Sequence, residues 1–97
     1  MSEIQRLRNI VAKLRAPDGC PWDREQTHHS LVQCLVEEVS EVIETIDNED
    51  STAMEEELGD LLLQVVMHAR LAEEEGKFDL EAVACGIAEK LIRRHPH

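Results

Sequence analysis

Apolar residues recur along this chain three and four positions apart, the spacing that collects them on one face of a helix. Over 2–15, Ile4, Leu7, Ile10, Val11 and Leu14 make such a face, with Arg6, Arg8, Lys13 and Arg15 around it. Pro17-Asp18-Gly19 stops that helix, because glycine and proline punctuate and the residue before a proline is biased out of the α region. A loop follows through Cys20-Pro21-Trp22-Asp23, the one connection that carries an aromatic. A second helix is predicted to begin within 27–30, where the hydroxyls of Thr27 and Ser30 can cap free N–H groups, and to run to about 47. Its stripe is Leu31, Leu35, Val39, Val42 and Ile46, widened on one side by Val32, Val36 and Ile43. Glu38 sits on the other edge of that stripe and Glu41 just beyond it.

Residues 48–51 read as a short turn, and Thr52-x-x-Glu55 as a capping box opening a third helix that stops at Gly76. The middle of this helix, Leu61-Leu62-Leu63-Gln64-Val65-Val66-Met67, is apolar almost all round. Such a helix needs cover on two sides, which predicts that it lies between its own bundle and a second subunit. Glu57, Asp60, Gln64 and His68 line its remaining strip. Asp79 is placed to cap a fourth helix, whose face is Leu80, Val83, Ala84, Ile87, Ala88, Leu91 and Ile92. Lys90, Arg93 and Arg94 in its last turn suit the helix dipole, and Pro96 ends it. The prediction is therefore all-α, a four-helix bundle in a single domain over 1–97.

Composition narrows the partners. Ten basic against 21 acidic residues give a net charge of −11, which argues against nucleic acid or an anionic membrane as the main partner. No basic signal segment is visible, and no apolar run approaches the roughly 20 residues needed to span a bilayer. Cys20, Cys34 and Cys85 are odd in number and none is at C-x-x-C spacing, so a disulfide framework or structural zinc is not expected and the cytoplasm is the simplest location.

The candidate chemistry lies in two carboxylate pairs, Glu38/Glu41 and Glu57/Asp60. Residues i and i+3 are neighbours on a helix surface, so each pair projects as a two-pronged acidic clamp. If the two helices pack side by side, four like charges converge, and a hard divalent cation with oxygen preference is the natural counter-charge. A solvated acidic face is the plain alternative for either pair. Asp60, however, opens directly into the apolar stretch, where an aspartate is expensive to bury unless paired or metal-bound. Lys90 and Arg94, at i and i+4, have the spacing to hold an anion such as phosphate, and equally the position to complement the helix dipole. Trp22 reads first as a loop anchor packed on the core and second as a base-stacking platform. His68 reads as a hydrogen-bonded spectator before a ligand, and His28, His29, His95 and His97 show no usable spacing. No Ser/His/Asp constellation, glycine-rich phosphate loop or dinucleotide fingerprint is present.

Taken together these residues resemble the MazG family of nucleoside triphosphate pyrophosphohydrolases, whose metal signature is E-E-x-x-E followed after a spacer by E-x-x-D. Here Glu37-Glu38-x-x-Glu41 is followed, after fifteen intervening residues, by Glu57-x-x-Asp60. The likeness extends to Gly19-Cys20-Pro21-Trp22-Asp23-Arg24-Glu25-Gln26-Thr27, to Glu57-Leu58-Gly59-Asp60-Leu61-Leu62-Leu63-Gln64-Val65-Val66, to Ala72-Glu73-Glu74-Glu75-Gly76 and to Lys90-Leu91-Ile92-Arg93-Arg94-His95-Pro96-His97. Those strings occur in the family's order and cover essentially the whole chain.

The resemblance implies an all-α fold that dimerises through its central helices, as a homodimer or a higher homo-oligomer. It implies Mg²⁺, with Mn²⁺ as the second candidate, held by Glu38, Glu41, Glu57 and Asp60, with Glu37 and Glu56 beside them. The implied substrates are standard or aberrant nucleoside triphosphates, cleaved to the monophosphate and pyrophosphate. Lys90 and Arg94 match positions that contact substrate phosphates, and Trp22 resembles an aromatic near the base in related all-α enzymes. Metal-assisted hydrolysis at the α-phosphorus is the expected reaction, with Glu37, Glu41 or Glu56 orienting or deprotonating the attacking water. Family members run on past His-Pro-His and many carry two copies of the domain. A single-copy member, a short form or one domain of a longer protein are thus all compatible with 1–97. Two rival readings are a non-catalytic helical dimer acting as an interaction module, and a related pyrophosphatase acting on a histidine-pathway nucleotide.

Overall fold

Side-chain oxygens open three of the helices in the computed structural model, which describes residues 2–95. Ser2 caps α1 (Glu3–Leu14) by accepting from the Gln5 N–H, Asp50 caps α4 (Ser51–Glu74) through Ala53, and Asp79 caps α5 (Leu80–Arg94) through Ala82. The cap of α4 is thus Asp50 and not Thr52. The chain turns tightly enough after α3 (Val32–Asp47) to bring a carboxylate to the N-terminus two residues earlier than the capping-box pattern suggests. Glu49 takes a left-handed φ of 52° in that turn, so α3 and α4 fold back as an antiparallel pair. Gly76, at φ 72°, ends α4 as predicted, with the Lys77 N–H returning to the Ala72 carbonyl. No strand occurs among the described residues. Pro96 and His97, where the sequence ends the last helix, lie outside them.

Two details differ from the periodicity. The Cys20–Trp22 connection contains a short helix, α2 (Pro21–Glu25), started by proline at its first position. The second helix begins at Val32, because Thr27 and Ser30 spend their hydroxyls on each other's N–H groups in a preceding turn. The faces of α3 differ more. The positions turned to α4 are Leu31, Leu35, Glu38, Val42 and Thr45, of which Leu31, Val42 and Thr45 are buried. Val32, Val36, Val39, Ile43 and Ile46 are exposed. The packed face is therefore centred on Glu38, and the more apolar face of the helix is open.

The core gathers at the other half of α4. Val11, Leu31, Val66, Met67 and Leu71 form it, with Leu7, Leu62 and Leu80 packed against it. Beyond Leu80 no residue of α5 is buried, and its stripe of Val83, Ile87 and Leu91 faces outward. The radius of gyration of 15.2 Å exceeds the roughly 12–13 Å of a closed domain of this length, as expected when a helix projects from the rest.

A polar latch holds the segment between α1 and α3. The Arg15 side chain, 9% exposed, donates to both carboxylate oxygens of Glu74 and to the backbone carbonyls of Asp23 and Gln26. Helix α2 has no buried residue, so these contacts stand in for packing. Beside them the chain passes so close to the end of α1 that a Cβ on Gly19 would lie 2.3 Å from the Leu14 carbonyl oxygen. Arg15→Ala is expected to lower stability by about 2 kcal/mol, measured by urea unfolding, because it takes the donor from two backbone carbonyls and leaves Glu74 with Arg70 alone.

Candidate metal centre

The antiparallel pairing of α3 and α4 sets the register that makes the site. Glu38 and Glu41 stand one helical turn apart on α3, Glu57 and Asp60 one turn apart on α4, and all four offer carboxylate oxygens within 4.8 Å of one another. Glu38 and Glu57 are half-buried, Glu41 and Asp60 exposed. The inner pair thus forms the floor and the outer pair the mouth. Glu38 Oε2 and Glu57 Oε2 are both buried without a hydrogen-bond partner among the described residues. Two orphaned anionic oxygens facing two further carboxylates form a donor set that a hard divalent cation fits.

The electrostatics point the same way. The Glu57 carboxyl is pushed up to about 7, first by a hydrogen bond shared with Glu41, then by burial and by the charges of Glu41, Asp60 and Glu38. Burial, followed by the charges of Glu41, Asp60 and Glu37, raises Glu38. Without a cation the cluster accepts protons in place of one. A carboxyl raised in the folded state gives stability that is complete below its unfolded value of 4.5 and is lost as pH rises through about 7. His68, lowered by burial and by His28, acts with the opposite sign, but only below its ordinary value of 6.5. The cation-free protein is therefore expected to melt at progressively lower temperature between pH 6.5 and about 8, and Glu57→Gln to flatten that interval. Thermal scans across the interval in the presence of a chelator test this.

Glu37 and Glu56 are exposed and stand next in sequence to the cluster, and Glu37 accepts a hydrogen bond from Gln33. A cleft of about 410 Å³, lined by Glu41, Glu44, Thr45, Asn48, Asp50, Ala53 and Glu57, opens beside the carboxylates toward the turn. A tighter cavity of about 160 Å³ between α1, α4 and α5 holds Arg8 and Arg70, but both guanidiniums already face carboxylates, including Glu73.

The remaining predicted residues are not brought to the carboxylates within one chain. Trp22 is 59% exposed and does not pack on the core as an anchor would. Its helix is tied to Glu74, fourteen residues of α4 beyond Asp60, or about 20 Å of helix. Lys90 and Arg94 lie on the exposed outer part of α5. Three features go beyond what the sequence predicts. Gln64, only 8% exposed, buries an unpartnered Oε1 one turn beyond Asp60. The Arg15 latch joins residues 59 apart. His28 and His68 meet Nδ1 to Nδ1 at 2.7 Å, a pairing across 40 residues hinted at only by the place of His68 on the Glu57–Asp60–Gln64 strip.

Comparison with known proteins identifies the family. A family model described as the MazG nucleotide pyrophosphohydrolase domain matches residues 26–97. The nucleoside triphosphate pyrophosphohydrolase/pyrophosphatase MazG of Thermotoga maritima is 56% identical over 94 residues, covering 97% of this chain and 37% of that protein. The nucleoside triphosphate pyrophosphohydrolase of Escherichia coli K12 is 48% identical over 98 residues, covering 100% of this chain and 37% of its own length. The uncharacterized protein YabN of Bacillus subtilis is 54% identical over 95 residues, which is 98% of this chain and 19% of that one. This chain thus spans about a fifth to two-fifths of the length of these relatives. A crystal structure of a MazG-related protein from Thermotoga maritima superposes with a TM-score of 0.77 at 32% identity, over 95% of this chain and 79% of that one. With the acidic hairpin, the matched residues and the shared fold in agreement, the chain belongs to the MazG nucleotide pyrophosphohydrolase domain family.

Proposed function

We propose that this domain hydrolyses nucleoside triphosphates, standard or aberrant, to the monophosphate and pyrophosphate, with Mg²⁺ or Mn²⁺ held by Glu38, Glu41, Glu57 and Asp60. The observation that carries the reading is the meeting of four carboxylates, two with buried and unpartnered oxygens, in a chain of this family. When bound, the ion supplies a Lewis acid that offsets charge on phosphate oxygens and lowers the pKa of water. Glu38, Glu41, Glu57 and Asp60 would hold it, the first and third with their buried, unpartnered oxygens.

Glu37, Glu41 or Glu56 orients the attacking water and takes its proton. The new oxygen–phosphorus bond forms at the α-phosphorus, and the bond to the bridging oxygen breaks so that pyrophosphate leaves. Lys90 and Arg94 offset the charge of the leaving group, and Trp22 meets the base. The open apolar faces of α3 and α5 support assembly through the central helices into a homodimer or higher homo-oligomer. A second copy is then the means by which α2 and α5 reach a carboxylate cluster. The three free cysteines suit a cytoplasmic setting.

Phosphorus NMR of a nucleotide panel incubated with Mg²⁺ tests the reaction. Monophosphate and pyrophosphate are the expected products. Orthophosphate with diphosphate, or turnover only of a phosphoribosyl intermediate outside the triphosphates, would overturn the assignment.

A further inference from the structure

The proposed reaction makes no use of the contact between His28, in the turn before α3, and His68 on α4. The two Nδ1 atoms lie 2.7 Å apart, the ring centroids 5.0 Å apart and the ring planes only 11° apart. That centroid distance is the nitrogen contact plus one ring radius at each end. The rings therefore lie edge to edge in nearly one plane, joined by an in-line N–H···N hydrogen bond rather than stacked face to face. On the far side of His28, Nε2 is 3.4 Å from Glu75 Oε1. On the far side of His68, Nε2 is buried and unpartnered, one turn along α4 from the equally unpartnered Gln64 Oε1.

The protons in this row can be counted. Two neutral imidazoles carry two N–H groups. An ionised Glu75 only accepts, so one N–H belongs on His28 Nε2. His28 Nδ1 is then a bare lone pair, and the second N–H sits on His68 Nδ1, leaving His68 Nε2 bare and buried. A third proton completes the row: His28 donates at both ends, and His68 presents an N–H at Nε2. A fourth puts hydrogen on both Nδ1 atoms, which then repel across 2.7 Å.

The geometry points to a proton-counted latch: His28 and His68 hold the turn before α3 on α4 through their first added proton and release it with their second. The depression of His68 by burial and by the charge of His28 is in keeping with an opposed second step. Other charged or titratable groups at this end are few. The cleft beside His28 is lined by Arg15, His29, Glu74 and Glu75. Arg15 and Glu74 are committed to each other, and Glu75 also holds Lys77 at 2.8 Å. Leu31, just before α3, is uncharged and only 2% exposed.

The test is hydrogen exchange at the Leu31 and Val32 amides, which donate to Thr27 and His29 across the latched turn, alongside imidazole NMR of the full chain. The pair should titrate in two separated steps. Exchange, corrected for its intrinsic pH dependence, should stay slow through the first step and accelerate about tenfold through the second. His68→Gln, whose amide donates to His28 without titrating, should keep exchange slow throughout, whereas His68→Ala should make it fast throughout. Exchange that ignores the second step, or histidines that titrate identically when the other is replaced, would overturn the latch. Neither readout involves nucleotide or metal, so the outcome is separable from that of the proposed reaction.

Discussion

Glu38→Gln and Asp60→Asn are each expected to lower Mg²⁺-dependent pyrophosphate release by about a hundredfold or more, while raising the melting temperature of the cation-free protein. The two effects share one cause. Either substitution keeps the side-chain shape and removes one of four converging charges. A ligand anion lost from the site weakens stabilisation of the transition-state charge, an effect typically of 10²-fold or more. Without the cation the same change removes repulsion that the folded state must bear, because Glu38 is raised by burial and by its neighbours Glu41, Asp60 and Glu37. A variant that is simply misfolded would lose both activity and stability. Opposite signs are the signature of a charge cluster, read from a coupled pyrophosphate assay and a thermal scan on the same samples.

The second large effect is stabilisation by the cation itself. A ligand bound only by the folded chain stabilises it by about 2.7 kcal/mol at a hundredfold excess over Kd. For a domain this small that shifts the melting temperature by on the order of 10 °C. Mg²⁺ and Mn²⁺ should both produce it, and Glu57→Gln should abolish most of it. The gain should shrink below pH 7, where protons compete for Glu57, whose carboxyl is pushed up to about 7. A helical interaction module without a metal function would show no such shift.

The elements of this fold were largely legible in the sequence because they are local. Asp79 capping α5 and Gly76 ending α4 are decided within a turn of chain, and both stand where the pattern put them. The carboxylate clamps were legible as pairs for the same reason, since i, i+3 spacing is a property of one helix. What periodicity misjudged was the direction of α3. Periodicity makes its most apolar stripe the packed face, with Glu38 on the edge. The structure centres the packed face on Glu38 and leaves Val36, Val39 and Ile43 open. A hydrophobic stripe indicates that a face needs cover, not which body covers it. The same holds for α5, whose stripe finds no cover beyond Leu80 in this chain.

The polar fastenings were illegible for a different reason. Arg15 with Glu74, and His28 with His68, join residues 59 and 40 apart, and neither pair has a local spacing that could announce it. Only the fold brings them together. Gln64 was visible on the acidic strip, yet its burial follows from α3 lying over it.

The proposed reaction requires one cluster to hold both the cation and the reacting phosphates. Its most direct test is a calorimetric Mg²⁺ titration with and without a non-hydrolysable triphosphate. Binding should tighten in the presence of the nucleotide, and the nucleotide should bind more tightly with Mg²⁺ by the same factor, as linkage requires. Both effects should vanish in Asp60→Asn. Mg²⁺ affinity that is unchanged by nucleotide, or unchanged in Asp60→Asn, would contradict the account.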